Sequence, residues 1–247
     1  MIKMKPLKIF CAWVFLSGYT SIVTAQSLSK YYEIGIKAGA SIYTGDLTPW
    51  LLGSYKTPRF AIGIHGSKVF TRFLSLRADL SSVPVRSDDA EYSSPKFRRQ
   101  RNFNFKTSIK EIAVSLVWSP LSNTKIFSPY LLAGFGYSFI KIKRDFSNFN
   151  YEYFAATSIS NGLAQDIANP PPKGLLVLPV GIGVRYSLTS ALSINAESSY
   201  RLMSSDYLDG FSKSVNPSKK DNYYSHTVGL IYSFEKKNNI DCPPVKF

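Results

Sequence analysis

A chain of 247 residues with a net charge of +14 and a pI of about 9.7 has room for one barrel or for one to two soluble domains. Aromatics make up 15% of it, with 17 Phe and 16 Tyr but only 3 Trp; that is high for a soluble enzyme and ordinary for a membrane barrel with aromatic girdles. Beyond residue 25 no apolar run approaches the roughly 20 residues of a membrane helix, and the 2 cysteines exclude a disulfide framework.

Residues 1–25 read as a secretory signal. Lys3, Lys5 and Lys8 form its positive end, Ile9 to Val23 its apolar stretch, and Val23-Thr24-Ala25 a small-residue cleavage site before Gln26. The competing reading is a retained anchor helix, for which the apolar part is short. Cys11 lies inside the signal without the small-residue context of a lipoprotein site. Removing three Lys lowers the charge from +14 to +11 and leaves Cys242 as the one mature thiol.

After the signal the pattern has a period of two, the mark of strands. Tyr31 to Tyr43 puts Tyr32, Ile34 and Ile36 on one face and Glu33, Lys37 and the glycines on the other. A long loop leads to Phe60–Phe70, with Phe60, Ile62 and Ile64 out and His65 and Ser67 in. A very short turn at Thr71-Arg72 precedes Leu74–Val83, where Arg77 and Asp79 share the inner face. Pro84 to Asn104 reads as a long polar loop. The fourth strand ends cleanly, with Ile112, Val114, Leu116 and Trp118 out and Glu111 in, but Phe105 to Lys110 is out of phase with that end. Either a bulge near Lys110 restores the phase or the start stands above the membrane.

Ser119 to Ser128 is a moderate connection. The fifth strand faces Leu131, Ala133, Phe135, Tyr137 and Phe139 outward, and Arg144 to Lys173 is the longest loop. The sixth strand turns Leu176, Leu178, Val180, Ile182, Val184 and Tyr186 out and Arg185 in; its Pro179 removes one ladder donor. After a short turn at Thr189-Ser190, the seventh strand puts Glu197 and Arg201 inside. Ser204 to Asp221 is the last loop. The closing strand is Asn222 to Phe234, where Tyr224, Val228, Leu230, Tyr232 and Phe234 share the outer side with one polar exception, His226.

These segments predict an all-β fold: an eight-stranded antiparallel up-and-down transmembrane β-barrel over residues 26–235. Its connections run long, short, long, moderate, long, short, long. Short periplasmic turns and long outer loops then place both mature termini in the periplasm of a Gram-negative bacterium. The soluble rival is a lipocalin-like barrel, but that is apolar inside and polar outside.

The inward positions Glu33, Lys37, His65, Arg77, Asp79, Glu111, Arg185, Glu197 and Arg201 predict a lumenal ion-pair cluster, because isolated charges in a narrow interior are costly. A small proton or ion path is the other reading. Catalysis, cofactor and metal are not expected: no metal spacing, P-loop or dinucleotide fingerprint occurs, and His65 with Ser67 is the nearest approach to a lipid-modifying site. The basic run Lys96, Arg98, Arg99 and Arg101 is expected to meet lipopolysaccharide phosphates rather than nucleic acid, or simply to be solvated. Residues 236–247 read as a periplasmic tail, disordered or a docking strap, in which Cys242 can form a disulfide only with another molecule.

Several stretches resemble one family: EIGIKAGASIYTGDL (Glu33 to Leu47), FLSLRADL (Phe73 to Leu80), RNFNFKTSIKEIAVSLVW (Arg101 to Trp118), SPYLLAGFGYSF (Ser128 to Phe139) and DNYYSHTVGLIYSF (Asp221 to Phe234). They are similar to the PorG-like outer-membrane barrels of Bacteroidetes, with Tyr43-x-Gly45-Asp46 and the segment from Phe105-Lys106-Thr107 to Glu111 as the most specific pieces. The resemblance implies an accessory role in type IX protein secretion, with periplasmic or lipoprotein partners. The alternative is a structural or adhesive surface barrel of the OmpA/OmpX kind.

Overall fold

The computed structural model describes residues 31–234 apart from 51, 52, 54, 124 and 216–220. The signal segment, the tail and Cys242 lie outside the described residues. The strands are β1 (Tyr31–Thr44), β2 (Arg59–Val69), β3 (Leu74–Ser82), β4 (Val85–Asp88), β5 (Asn104–Trp118), β6 (Phe127–Asp145), β7 (Gly174–Ser187), β8 (Leu192–Met203) and β9 (Asn222–Phe234). All neighbours are antiparallel, and with the first strand β1 paired to the last strand β9 and β3 paired to β5 the sheet is a closed ring. β3 and β4 both pair with β5 and form one stave, interrupted at Pro84, which has no N–H to give the ladder. Val83 bridges the gap by donating to the Ile109 carbonyl at 2.9 Å. The nine segments therefore make eight staves, a closed eight-stranded barrel.

Side-chain alternation decides the faces. Ile34, Ile36, Ile62, Ile64, Phe135, Leu176, Ile182, Val228 and Leu230 stand exposed on the outer wall, while the charged partners of the same strands are buried inside. Such a continuous apolar outer face is unstable in water and matches the hydrocarbon of a bilayer. Aromatics rim it at both ends. Tyr232 and Phe234 meet edge to face at 4.9 Å near the short turns, and Tyr200 and Tyr224 lie 4.5 Å apart near the other end.

Pro179 leaves its mark on the wall. The β6–β7 register runs from Phe127 opposite Tyr186 to Phe139 opposite Gly174, but no pair forms between Ala133–Val180 and Gly136–Val177. The missing proline donor opens the ladder there without shifting the register.

The end opposite the short turns carries a folded cap. A 19-residue strand such as β6 is about twice the 9–11 residues that cross a membrane, so it projects beyond the apolar belt. Two short helices, α1 (Phe97–Arg101) and α2 (Ser158–Ala168), pack with the long connections above the barrel mouth. α2 is pinned by Asp166, whose carboxylate accepts from the Lys213 and Ser214 amides at 2.9–3.1 Å. Tyr43, Leu47, Phe103, Phe105, Ile109, Phe149, Phe154, Leu208, Phe211 and Tyr223 form one buried apolar cluster in the cap and the upper lumen. Phe103 and Phe211 stack at 4.3 Å at its centre.

This cluster resolves the phase problem of the fourth predicted strand. β5 alternates without a break from Asn104 to Trp118, and its register with β6 is continuous, so there is no bulge at Lys110. Phe105 and Ile109 point inward because the interior at that height is apolar, and Lys106 and Lys110 point outward. The segment 84–104, expected as a polar loop, is likewise built into the cap as β4, a 3-10 turn at Asp89–Glu91 and α1.

Candidate functional site in the lumen and cap

The eight inward charges expected from the alternation occupy three levels. Nearest the short turns, the Arg185 guanidinium binds the Glu33 carboxylate through two hydrogen bonds of 2.8 and 2.7 Å, and Ser233 donates to the same carboxylate at 3.2 Å. Above them lies a four-charge cluster. Lys37 contacts Asp79 at 2.5 Å and Glu197 at 3.7 Å, while Arg77 contacts Asp79 at 3.1 Å and Glu197 at 2.8 Å. Tyr130 donates to Glu197 at 2.9 Å and accepts from Asn195 at 3.0 Å. At the third level Arg201 lies 3.5 Å from Glu111, which also accepts from the Tyr223 hydroxyl at 2.5 Å. Arg201 further donates to the hydroxyls of Ser199 and Ser225.

The ninth residue, His65, is buried but joins none of these pairs. Its ring lies over Gly35, where a β-carbon would come within 2.4 Å of the imidazole, and its Nδ1 has no hydrogen-bond partner among the described residues. Below it, between Glu33, Arg77 and Arg185, a cavity of about 30 Å³ remains, room for roughly one water. The lumen is thus filled by side chains, and the arrangement holds charges against one another rather than around a passage. Tyr130, Asn195, Tyr223 and Ser225 complete the network; they share the inward phase of the charges, the one signal that could have found them.

The basic run divides. Arg98 and Arg101 turn inward onto Asp89, which is fully buried: Arg98 Nη1 lies 2.9 Å from Oδ1 and Arg101 Nε 2.6 Å from Oδ2. The Phe103 amide donates to the same carboxylate at 3.3 Å. Three residues apart on α1, the two arginines share a face. Lys96 and Arg99 stay exposed, so the run does not offer four cations to an external phosphate.

Both resemblance motifs anchor the cap. The Tyr43 hydroxyl bonds Asp209 at 3.1 Å and also Asp221. The Asp221 Oδ2 accepts the Leu208 and Asp209 amides, each at 3.1 Å. Gly45 leaves the space that these groups fill, and the Asp46 carbonyl accepts from Arg98 at 3.1 Å. In β5, Thr107 donates to the Leu208 carbonyl at 2.7 Å, between the inward Phe105 and Ile109. The chain turns through Gly210 at φ +84°, a left-handed conformation that glycine adopts freely. Burial raises the Asp209 carboxyl to about 7, and burial with the neighbouring Asp209 charge raises Asp221 well above the carboxylate range. Half-buried Asp206 is raised to about 7, also by burial first.

Comparison with known proteins adds the family. No curated protein matches the chain in sequence. Among solved structures, the attachment invasion locus protein Ail of Yersinia pestis is similar at 13% identity, with a TM-score of 0.45 over 84% of this chain and 100% of Ail. Neisserial surface protein A gives 15% identity and a TM-score of 0.47 over 82% and 97% of the two chains. A major outer membrane protein from Thermus thermophilus gives 12% and 0.46 over 82% and 99%. The architecture of the chain itself is a closed eight-stranded antiparallel β-barrel. The model of a domain of unknown function, DUF6089, matches residues 12–238, nearly the whole sequence, and the chain belongs to that family.

Proposed function

We propose that this chain is an integral outer-membrane barrel, non-enzymatic, that serves as an accessory of type IX protein secretion in the manner of the PorG-like barrels it resembles. The observation that carries the reading beyond the resemblance is the closed lumen. Lys37, Arg77, Asp79 and Glu197 are locked together across the interior, which supports a wall that serves as a scaffold rather than as a conduit or an active site. What remains for function is its two ends and its outer surface. The residues of the two resemblance motifs converge on the cap, which supports a cap with a maintained shape as the working surface.

In this reading residues 1–25 are the cleaved signal and residues 26–235 the barrel. The capped end faces the outside and meets lipopolysaccharide. An even number of staves returns the chain to its starting side, so residues 236–247 enter the periplasm. There the tail with Cys242 docks a periplasmic or lipoprotein partner of the secretion machinery. The second reading, an OmpA/OmpX-like surface barrel, is favoured by the ordered cap itself, which suits adhesion equally.

Crosslinking in cells followed by identification of the partners separates the two. Secretion components recovered on the barrel, with cargo export falling when residues 236–247 are deleted, support the accessory role. Full export after loss of the whole gene rejects it and leaves the surface barrel. Thiol labelling of intact cells in a Cys242→Ser background checks orientation: cysteines at Ser94, Asn161 and Lys213 label, and one at Ser190 does not.

A further inference from the structure

The outward face of the β4–β5–β6 wall changes character abruptly above the apolar belt. Lys110 lies directly opposite Phe139, and Lys141 lies opposite Ser108 one step higher. A further step up, Arg86, Lys106 and Lys143 are side by side on three adjacent strands. Strands are about 4.8 Å apart, and like charges directly opposed across a ladder destabilise it. Arg86 is answered by Asp88 at 3.0 Å. Lys106, Lys110, Lys141 and Lys143 have no acidic partner within 4.0 Å among the described residues, and all four are exposed. The concentration is one-sided: the outward positions of β1, β7, β8 and β9 carry no lysine or arginine.

We infer that this patch is a binding site for a membrane lipid whose headgroup carries two phosphates. Lys110 stands beside exposed Phe139 and the other three lysines stand above it; Phe139 packs edge to face on Tyr137 at 5.0 Å, so cations and a hydrocarbon-compatible surface are contiguous. A ligand that satisfies both has acyl chains beside Phe139 and anions at the height of the lysines. Lys106, Lys141 and Lys143 converge on one phosphate. Lys110 is four residues below Lys106, about 13 Å along the strand, far enough to receive a second. Lysine ammoniums serve phosphate as mobile point charges and need no fixed geometry. A soluble polyanion would use the lysines but not the aromatic shelf. The site is distinct from Lys96 and Arg99. It rests on the proposed function only in that the capped end meets a phosphate-bearing leaflet.

The test uses the full mature chain in mixed micelles, titrated with diphosphoryl lipid A, with monophosphoryl lipid A, with phosphatidylcholine and with inorganic pyrophosphate. Diphosphoryl lipid A is expected to bind roughly tenfold more tightly than the monophosphoryl form, and Lys106→Gln with Lys143→Gln to weaken it by roughly tenfold or more. Lys96→Gln with Arg99→Gln is expected to change nothing. Removing opposed like charges relieves repulsion, so the double variant should keep its heat-dependent gel shift; Lys141→Gln alone serves as the second variant. Unchanged affinity in both variants, or equal binding of phosphatidylcholine, overturns the site. Pyrophosphate binding as tightly as the lipid replaces a lipid site with a polyanion site and also overturns it. None of these outcomes depends on cargo export, so the site and the secretion role fail separately.

Discussion

A β-carbon on Gly45 would lie 2.1 Å from the Asp221 carboxylate, although the two residues are on opposite sides of the closing seam between β1 and β9. The same β-carbon would lie 2.1 Å from the Tyr43 hydroxyl. Both neighbours are held by hydrogen bonds, so neither can swing away freely. Gly45→Ala is expected to loosen the cap by about 1–3 kcal/mol, the usual cost of overpacking. Faster proteolysis between Ser204 and Asp221, with the barrel still shifting on heating, is the predicted result; an unaltered digestion pattern contradicts it.

The cap should respond to pH. Asp209 and Asp221 have folded values raised above the ordinary carboxylate range, chiefly by burial, with Asp206 raised beside them. A raised value means that the folded cap binds more protons than the unfolded chain. The associated stability is therefore complete below about pH 4 and is lost as pH rises through about 7, where Asp209 titrates. Hydrogen exchange in residues 204–215, corrected for intrinsic rate, should show less protection at pH 8 than at pH 5. Asp209→Asn keeps the acceptor for Phe211 and removes one titration, so it should flatten the profile. An equal pH slope in that variant rules out the carboxyl as its source.

The lumen network should be costly to break from one side. Glu197 is 4% exposed and contacts both Lys37 and Arg77. Glu197→Ala leaves two bases to share Asp79, at about 3–5 kcal/mol for a dry site and less where water enters. Glu111→Ala similarly strands Arg201. Denaturant unfolding of the refolded barrel reads both, and midpoints equal to the wild type for the two variants would mean that the pairs add nothing.

Asp89 holds the basic segment of the cap. Asp89→Ala removes the one carboxylate that Arg98 and Arg101 share. The two guanidiniums then face a buried site without a counter-ion, and α1 should detach. Trypsin is expected to cut after Arg98 and Arg101 at least tenfold faster in this variant, while Lys96→Gln leaves the rate alone. Equal cutting rates would mean that α1 is held by its apolar contacts.

Strand identity and facing were legible because they are local. Tyr224, Val228, Leu230 and Tyr232 fall on one side of β9 through the two-residue repeat alone, whatever the rest of the chain does. The same repeat put Glu33, Arg77, Glu197 and Arg185 inside. It could not say that Arg185 meets Glu33, 152 positions away, while Arg77 meets Asp79 and Glu197. Those partnerships follow from the stagger of strands around a closed ring, which exists only once β1 has found β9. The upper half of β5 looked out of phase because Phe105 and Ile109 are apolar on the inner side. Their reason is the cap, assembled from connections that carry no periodicity. The inward turn of Arg98 and Arg101 and the outward row Arg86–Lys106–Lys143 have the same origin. A loop reveals what it packs against, and a strand reveals its neighbours, only after the distant segments that bury them are in place.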